Sequence, residues 1–380
     1  MPHPDLGRVC YILGGGGPAE GLPQITQINQ FKKAGIEPDI IVCKSVGTLN
    51  ALDLDNALTA WKEKFYSPWA IYNLNPEIEA AIDKALRAVP KSPFHKHDTW
   101  HDLWRDFETQ YHNIKQILSL VFRIINSIPS LPGDINSSPK NFSPVLETLV
   151  KELQNSGLDK VKNILDPTPL VNTLKEILNL KKVLEGDTSL LILACSGIEE
   201  HIFAAGKKLS AEALSRIKMP IHEIITEEQL FSAAMASSAL RPYFAPVNID
   251  GTYYYDTGTQ TPFPVQVAID AGCDTIFAFI KDYRAFHLDL GANILDAFME
   301  ENDKLTRKIY INTYKEIFSR KDIREKIYLV LPQTLHPDLQ LWWNTHEATE
   351  YTIKNETEAT RKWLKENLPA QAGLNIDAKD

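Results

Sequence analysis

The chain has 380 residues, with 40 Lys and Arg against 49 Asp and Glu, which gives a formal net charge of -9. This acidic balance excludes the basic surface that nucleic-acid binding needs, so we expect no nucleic-acid partner. A hydrophobic share of 44% and a charged share of 23% exclude wholesale disorder, and the length indicates two domains or one large α/β domain with an insertion.

Apolar runs such as residues 189–196 are too short for a membrane-spanning helix, which needs about 20 residues. Residues 1–8 are polar and lack the apolar segment of a signal peptide. The 4 cysteines show no metal-binding spacing and lie in or beside strand-like runs. We therefore expect reduced core thiols and a cytoplasmic protein, with peripheral membrane contact as a further expectation.

The first part of the chain alternates strand and helix signals. Residues 8–13 form a β-prone run that ends in the glycines 14–17. Residues 21–34 carry apolar side chains at helical spacing, and residues 39–43 are apolar enough for a strand buried on both faces. A second helix is predicted directly after Ser45. This order of strand, helix, strand and helix indicates a βαβ unit and an α/β fold.

Residues 67–165 show a different pattern, in which prolines punctuate amphipathic helical segments. The clearest helix signal covers residues 113–128, and no strand signal of any strength stands out. We predict an all-helical insertion here and an α/β core formed by residues 1–66 and 166–370. Further core strands are predicted at 189–195, 201–204, 253–255, 275–280 and 326–331, and helices at 227–238, 264–271, 294–318 and 346–367.

Ser45 is the candidate nucleophile, at the junction between a buried strand and a helix. Its surroundings, Cys43-Lys44-Ser45-Val46-Gly47, resemble the G-x-S-x-G nucleophile elbow, with cysteine in place of the first glycine. The sharp turn of an elbow lifts the hydroxyl clear of the sheet, and the helix N-terminus supplies N–H groups where an oxyanion forms. A purely structural alternative is that Ser45 caps the helix.

Two further features belong to the same chemistry. The glycines 14–17 follow the strand predicted to lie beside the one that ends at Cys43, and glycine lets a backbone approach a substrate closely. Asp250 and Gly251 predict a tight hairpin that leads into an acidic turn at Asp256. Asp256 is thereby expected at a strand end, where a base can reach the serine.

Together these motifs resemble the patatin-like phospholipase family, in which a GGGxRG loop, a GxSxG elbow and a DG[GA] motif follow in this order. Residues 16–21, 43–47 and 256–258 stand at those positions. The similarity covers residues 8–66 and 165–285 and, more loosely, 325–367. It implies a three-layer α/β/α core with a mostly parallel central sheet.

The resemblance also implies a mechanism, a Ser-Asp dyad without histidine, in which Ser45 attacks a lipid ester and Asp256 accepts its proton. The implied oxyanion donors are the backbone N–H groups of Gly15, Gly16, Gly17 and Val46. The elbow and the acidic turn are shaped by Cys43, Gly47 and Gly258. The implied substrate is a phospholipid or another lipid ester, as for a phospholipase A or lysophospholipase, and neither a metal nor another cofactor is required.

The chain departs from the family pattern at four positions. Pro18 replaces a loop glycine, Glu20 brings a carboxylate to the place of the loop arginine, and Cys43 replaces the first elbow glycine. Thr257 replaces the middle glycine of the acidic motif. These departures leave an alternative function open, a catalytically impaired protein of the same fold that binds a lipid or a protein partner.

Other patterns leave further alternatives open. His336 follows the last strand, where the histidine of an α/β-hydrolase triad would stand. The run Gly14-x-Gly16-x-x-Ala19 fits a dinucleotide-binding fingerprint, although Cys43 and Lys44 end the next strand in place of an acidic residue. The histidine-rich stretch 95–102 could hold a metal ion. Lipid contact through residues 113–128 or through Trp342 and Trp343 is a further possibility.

Overall fold

The computed structural model describes residues 6–65, 73–80, 163, 165–206, 209–241, 243–258, 260–261, 263–281, 294–333 and 345–368. The chain divides into two compact units, one formed by Met1–Tyr72, Pro167–His287 and Asn302–Asp380, the other by Asn73–Asp166 and Leu288–Glu301. All residues of the candidate site lie in the first unit. Most of the predicted insertion, including residues 113–128, lies outside the described residues.

The first unit is built on a mostly parallel central sheet. Its strands are β1 Val9–Leu13, β2 Ile40–Cys43, β5 Ser189–Ser196, β6 Glu199–Ala205, β7 Ile221–Glu223, β10 Thr275–Phe279 and β11 Ile327–Val330. Within the described residues, the sheet has 7 strands in the order β11-β10-β1-β2-β5-β6-β7. Every pairing is parallel except that of β5 with β6, which a tight turn connects.

Among the residues that the structure describes, four short strands lie outside this sheet. β8 Val247–Ile249 and β9 Thr252–Tyr254 form an antiparallel hairpin, whose turn residues Asp250 and Gly251 have φ values of 50° and 86°. The predicted Asp-Gly hairpin is therefore present. In the second unit, β3 Asn73–Leu74 pairs antiparallel with β4 Leu165–Asp166, a pairing that carried no signal in the sequence.

Helices pack on both faces of the central sheet. They are α1 Pro18–Lys33, α2 Val46–Ala51, α3 Ala57–Glu63, α4 Thr168–Ile177, α5 Leu180–Glu185, α6 Ala211–Arg216, α7 Glu227–Ser238, α8 Val265–Asp270, α9 Ile294–Ser319, α10 Lys321–Arg324 and α11 His346–Asn367. Because side chains alternate along a strand, Tyr11 and Leu13 pack into one apolar cluster, whereas Cys10 and Ile12 pack into the other. The predicted three-layer α/β/α core is confirmed.

The central strands are buried on both faces, as their unbroken apolar runs predicted. All five residues of β1 and all four of β2 are buried, which is typical of parallel sheets covered by helices. Helices α7 and α11 have the predicted bounds. Helix α1 begins at Pro18, earlier than predicted, because proline suits the first helical turn and Gly17 before it adopts φ 61°.

Within the described part of the chain, no helix is long and apolar enough to cross a membrane.

Candidate active site

Ser45 occupies a strained turn between β2 and α2. Its φ of 52° lies in the left-handed region, and Ser45 and Asp250 are the non-glycine residues with positive φ in the described part of the chain. Such backbone strain is costly and clusters at functional sites. Although Ser45 occupies the N-cap position of α2, its side chain makes no capping hydrogen bond. The hydroxyl therefore does not cap the helix, and the alternative that Ser45 serves only as a helix cap is not supported.

The end of helix α7 holds this strained turn. The Ser45 N–H donates to the Ser237 hydroxyl at 3.0 Å and to the Ser237 carbonyl at 3.1 Å. The Ser238 hydroxyl donates to the Ser45 carbonyl at 3.2 Å. Thr48 on α2 completes the contact, with its hydroxyl 2.9 Å from that of Ser237. Sequence reasoning assigned no role to either α7 serine, although their segment is part of the resemblance.

Gly47 and Cys43 shape the elbow in different ways. A Cβ at Gly47 would lie 2.5 Å from the carbonyl oxygens of both Leu13 and Gly14, so only glycine lets α2 pass this close to the end of β1. Cys43 stands where the family pattern has glycine. Its side chain is buried in the sheet, with Sγ 3.9 Å from the Leu191 carbonyl oxygen, and burial raises the pKa of the thiol to about 12.

The glycine run passes directly beside Ser45. A Cβ at Gly15 would lie 2.5 Å from the Ser45 Cβ and 3.1 Å from its Oγ, so a side chain cannot be accommodated there. The Gly14 N–H donates to the Phe279 carbonyl at 3.1 Å. Among the backbone hydrogen bonds of the described turns and loops, none has the N–H of Gly15, Gly16, Gly17 or Val46 as its donor. The structure thus gathers all the predicted oxyanion donors at the C-terminal ends of β1 and β2.

Asp256 lies in a buried turn that follows β9 and packs beside the C-terminal end of β5. Tyr255 and Cys195 exchange two backbone hydrogen bonds of 2.9 Å, which fix the chain just before Asp256. The Gly258 N–H donates to the Asp256 carboxylate at 2.7 Å. Burial raises the pKa of Asp256, opposed by the charge of Lys44 and by hydrogen bonds from Ser45 and Gly258. The structure therefore brings Ser45 and Asp256 together.

Lys44 is a buried cation beside this pair. Only 2% of its surface is exposed, and its ammonium donates to the Gly258 carbonyl at 2.9 Å. Burial lowers the pKa of Lys44, whereas the carboxylates of Asp256, Glu20 and Glu200 raise it. Sequence reasoning treated Lys44 only as a motif spacer. The available signal was a charged residue directly after an otherwise apolar buried strand.

Glu20 lies on the other side of the glycine run from Ser45. A Cβ at Gly14 or Gly16 would lie 2.4 Å from one of the two Glu20 carboxylate oxygens, whereas Gly15 faces Ser45. The Lys281 N–H donates to Glu20 Oε1 at 2.9 Å. Burial raises the pKa of Glu20 to about 7, opposed by the charges of Lys281 and Lys44. The carboxylate at the position of the family's arginine is thus buried against the glycine run, where its neutral form is favoured more than in water.

Several sequence predictions lie outside the described residues, namely the histidine-rich stretch 95–102, His336, Trp342 and Trp343. His346 is exposed at the start of α11, with its Nε2 3.5 Å from a Glu350 carboxylate oxygen. Across the part of the chain that the structure describes, no group of three or more His, Cys, Asp or Glu side chains could hold a metal ion.

The chain is similar to one described protein family and to solved structures. A family model described as patatin-like phospholipase matches residues 11–269. Among solved structures, the crystal structure of VipD from Legionella pneumophila aligns with 92% of this chain and 67% of its own, at 11% sequence identity and a TM-score of 0.34. A comparison with curated protein sequences gave no match.

Proposed function

Because the chain belongs to the patatin-like phospholipase family, whose members are lipid acyl hydrolases, we propose that it hydrolyses lipid esters with Ser45 as the nucleophile and Asp256 as the general base. The substrate class is a phospholipid or another lipid ester, cleaved in the manner of a phospholipase A or lysophospholipase. The observation that carries the proposal is the strained Ser45, whose side chain lies beside Gly15 of the glycine run and hydrogen-bonds to the buried Asp256.

In the acylation step, Asp256 accepts the hydroxyl proton while Ser45 Oγ bonds to the acyl carbonyl carbon. The carbonyl oxygen becomes an oxyanion, which the N–H groups of Gly15, Gly16, Gly17 and Val46 stabilise. Collapse of this intermediate breaks the ester bond, and Asp256 returns the proton to the leaving alcohol. Preorganised donors of this kind are worth about 3 kcal/mol each in acyl transfer.

In the deacylation step, Asp256 takes a proton from water, which attacks the acyl-serine carbonyl. The same amides stabilise the second oxyanion, and its collapse releases the fatty acid while Ser45 regains a proton from Asp256. In both steps Asp256 takes the proton of the attacking group, first from Ser45 and then from water. Asp256 must be ionised at the start of each step, so its burial requires compensation.

The proposal is tested by phospholipid hydrolysis in mixed micelles and by labelling with a fluorophosphonate. We expect Ser45→Ala to abolish both reactions and Asp256→Asn to reduce the hydrolysis rate at least a thousandfold, since a serine without its base is a weak nucleophile. Ser215→Ala and Asp250→Asn are matched controls, because Ser215 is exposed and asparagine tolerates the positive φ of Asp250.

Two outcomes oppose the proposal. Hydrolysis that persists in Ser45→Ala would exclude this serine as the nucleophile. A wild-type protein that neither hydrolyses lipid esters nor reacts with the probe would favour the alternative, a protein of this family that binds a lipid or a protein partner without catalysis.

A further inference from the structure

We propose that Lys44 is a positioning residue for the dyad, which fixes the Asp256 turn and supplies the positive charge that keeps the Asp256 carboxylate ionised. The inference rests on the proposed function, and it adds a residue to which the family motif assigns no chemistry. The observation behind it is the position of the Lys44 ammonium. This group is buried and contacts the turn that carries Asp256.

The hydrogen bonds show how the turn is fixed. The Gly258 N–H donates to Asp256 Oδ1 at 2.7 Å, and the Gly258 carbonyl accepts from Lys44 Nζ at 2.9 Å. Both backbone polar groups of Gly258 are thereby hydrogen-bonded, the N–H to the Asp256 carboxylate and the carbonyl to the Lys44 ammonium. Gly258 itself adopts φ 49°, a conformation that glycine takes without strain. A shift of Lys44 would therefore move the carboxylate relative to Ser45.

The charge of Lys44 offsets the free-energy cost of burying the ionised Asp256 carboxylate. Asp256 is 5% exposed, and a buried carboxylate without compensation takes up a proton and ceases to be a base. The other titratable groups that surround this pair are Cys195 on β5, Glu200 on β6 and Glu20 on α1. The charge of Lys44 favours the ionised form of Asp256, and the carboxylates of Glu20 and Glu200 in turn favour the charged form of Lys44.

The same geometry separates this role from that of a base. A lysine that deprotonates Ser45 must be a neutral amine, whereas Lys44 Nζ donates a hydrogen bond to a carbonyl and faces three carboxylates. Burial lowers the pKa of Lys44, and the charges of these carboxylates oppose that shift by stabilising the ammonium form. Lys44 therefore acts on the reaction through Asp256.

The first experiment measures the pH dependence of kcat/KM for ester hydrolysis in Lys44→Met, Lys44→Gln and Lys44→Arg. Activity falls as pH decreases through the pKa of Asp256, because the protonated carboxyl is no base. Loss of the neighbouring cation raises that pKa, so the acid limb of the profile moves to higher pH. We expect the acid limb to shift by at least one pH unit in Lys44→Met. On that limb kcat/KM falls at least tenfold, and it returns towards the wild-type value in alkaline buffer.

The variants distinguish charge from packing. Lys44→Gln retains an N–H donor for the Gly258 carbonyl without the charge, so it shows the shift even if Lys44→Met fails to fold. Lys44→Arg retains the charge, so its acid limb stays with that of the wild type even where its rate is lower. Lys182→Met, which removes an exposed lysine before β5, is the matched control and leaves the profile unchanged.

A second measurement does not depend on catalysis. Carbon-13 NMR of labelled Asp carboxyls, with Asp256→Asn to assign the signal, reports the titration of Asp256 directly. If the wild type hydrolyses no ester but this titration moves up in Lys44→Gln, the proposed function fails while the effect of Lys44 on the carboxylate stands.

Two results would overturn the inference. One is an acid limb and an Asp256 titration that stay in place in both neutral variants. The other is loss of hydrolysis at every pH in folded Lys44→Gln and Lys44→Arg, together with substantial activity in Asp256→Asn, which would make Lys44 itself the base.

Discussion

At the scale of single residues, the glycine run and Ser45 form one unit. Gly15 faces the serine side chain, whereas Gly14 and Gly16 face Glu20 on the opposite side. The loop therefore lies between the Ser45 side chain and the buried carboxyl group of Glu20. Gly15 therefore lacks a side chain because of Ser45, whereas Gly14 and Gly16 lack one because of Glu20, and the two sides of the loop can be tested separately.

For Gly15→Ala we expect a loss of at least a hundredfold in kcat/KM and in the rate of fluorophosphonate labelling. The new methyl group would lie 2.5 Å from the Ser45 Cβ, so the serine and the loop must move apart, which misplaces the hydroxyl relative to the proposed oxyanion donors. The midpoint of urea unfolding should change little, because the loop can shift into the half-exposed site. Unchanged labelling in a folded variant would contradict this account of the loop.

For Glu20 we expect a pH-dependent cost to stability. Burial raises its pKa from the ordinary 4.5 to about 7, so the folded chain holds this proton more tightly than the unfolded chain. The contribution of Glu20 to the free energy of unfolding is fully present below pH 4.5. As pH rises to about 7, this contribution is lost and the free energy of unfolding falls by roughly 3 kcal/mol.

Glu20→Gln tests this expectation by urea unfolding at pH 5 and pH 8. The glutamine cannot ionise, so the variant should gain stability relative to the wild type as pH rises across this range. Glu212→Gln, an exposed position, serves as the control. A stability difference between Glu20→Gln and wild type that does not vary with pH would mean that Glu20 is ionised in the folded protein throughout.

At the scale of elements, the elbow depends on a contact between helices that are far apart in sequence. Helix α7 begins with a capping box of Thr226 and Gln229 and ends at the two serines that hold Ser45. The helix therefore has one end fixed by its own side chains and the other fixed to the nucleophile turn. Its position determines the conformation that Ser45 can adopt.

Ser237→Ala tests this contact between elements. The substitution removes the hydroxyl that binds the Ser45 N–H and leaves the Thr48 hydroxyl without that partner. We expect a loss of about 1–3 kcal/mol in the free energy of unfolding, and slower fluorophosphonate labelling because the strained turn is less restricted. Ser215→Ala, an exposed control, should change neither quantity. Wild-type labelling and stability in Ser237→Ala would show that the backbone bond from Ser45 to Ser237 suffices.

At the scale of the whole first unit, the sheet order explains how distant segments meet. β1 and β2 are parallel neighbours, so the glycine run and Ser45 follow their C-terminal ends at the same edge. β5 pairs with β2, and the bridge from Cys195 to Tyr255 brings Asp256 to the same edge. Sites at the carboxyl ends of strands are typical of such sheets.

The amino-acid sequence by itself determined those features whose physical cause is local. Unbroken apolar runs predicted the strands buried on both faces, and helical spacing predicted α7 and α11 with their bounds. Spacing and order of the motifs predicted that Ser45, Asp256 and the glycine run belong together. The start of α1 was missed because Pro18 was interpreted as part of the loop, although proline favours the first turn of a helix.

Only the tertiary structure decided what surrounds these residues. The contacts of Lys44 with Gly258 and of Ser45 with Ser237 join positions about two hundred residues apart, and no local pattern specifies them. The same holds for Glu20, whose pKa depends on burial against the glycine run and on Lys281. Protonation and backbone strain at this site arise from packing between elements, so they became visible only once the elements were assembled.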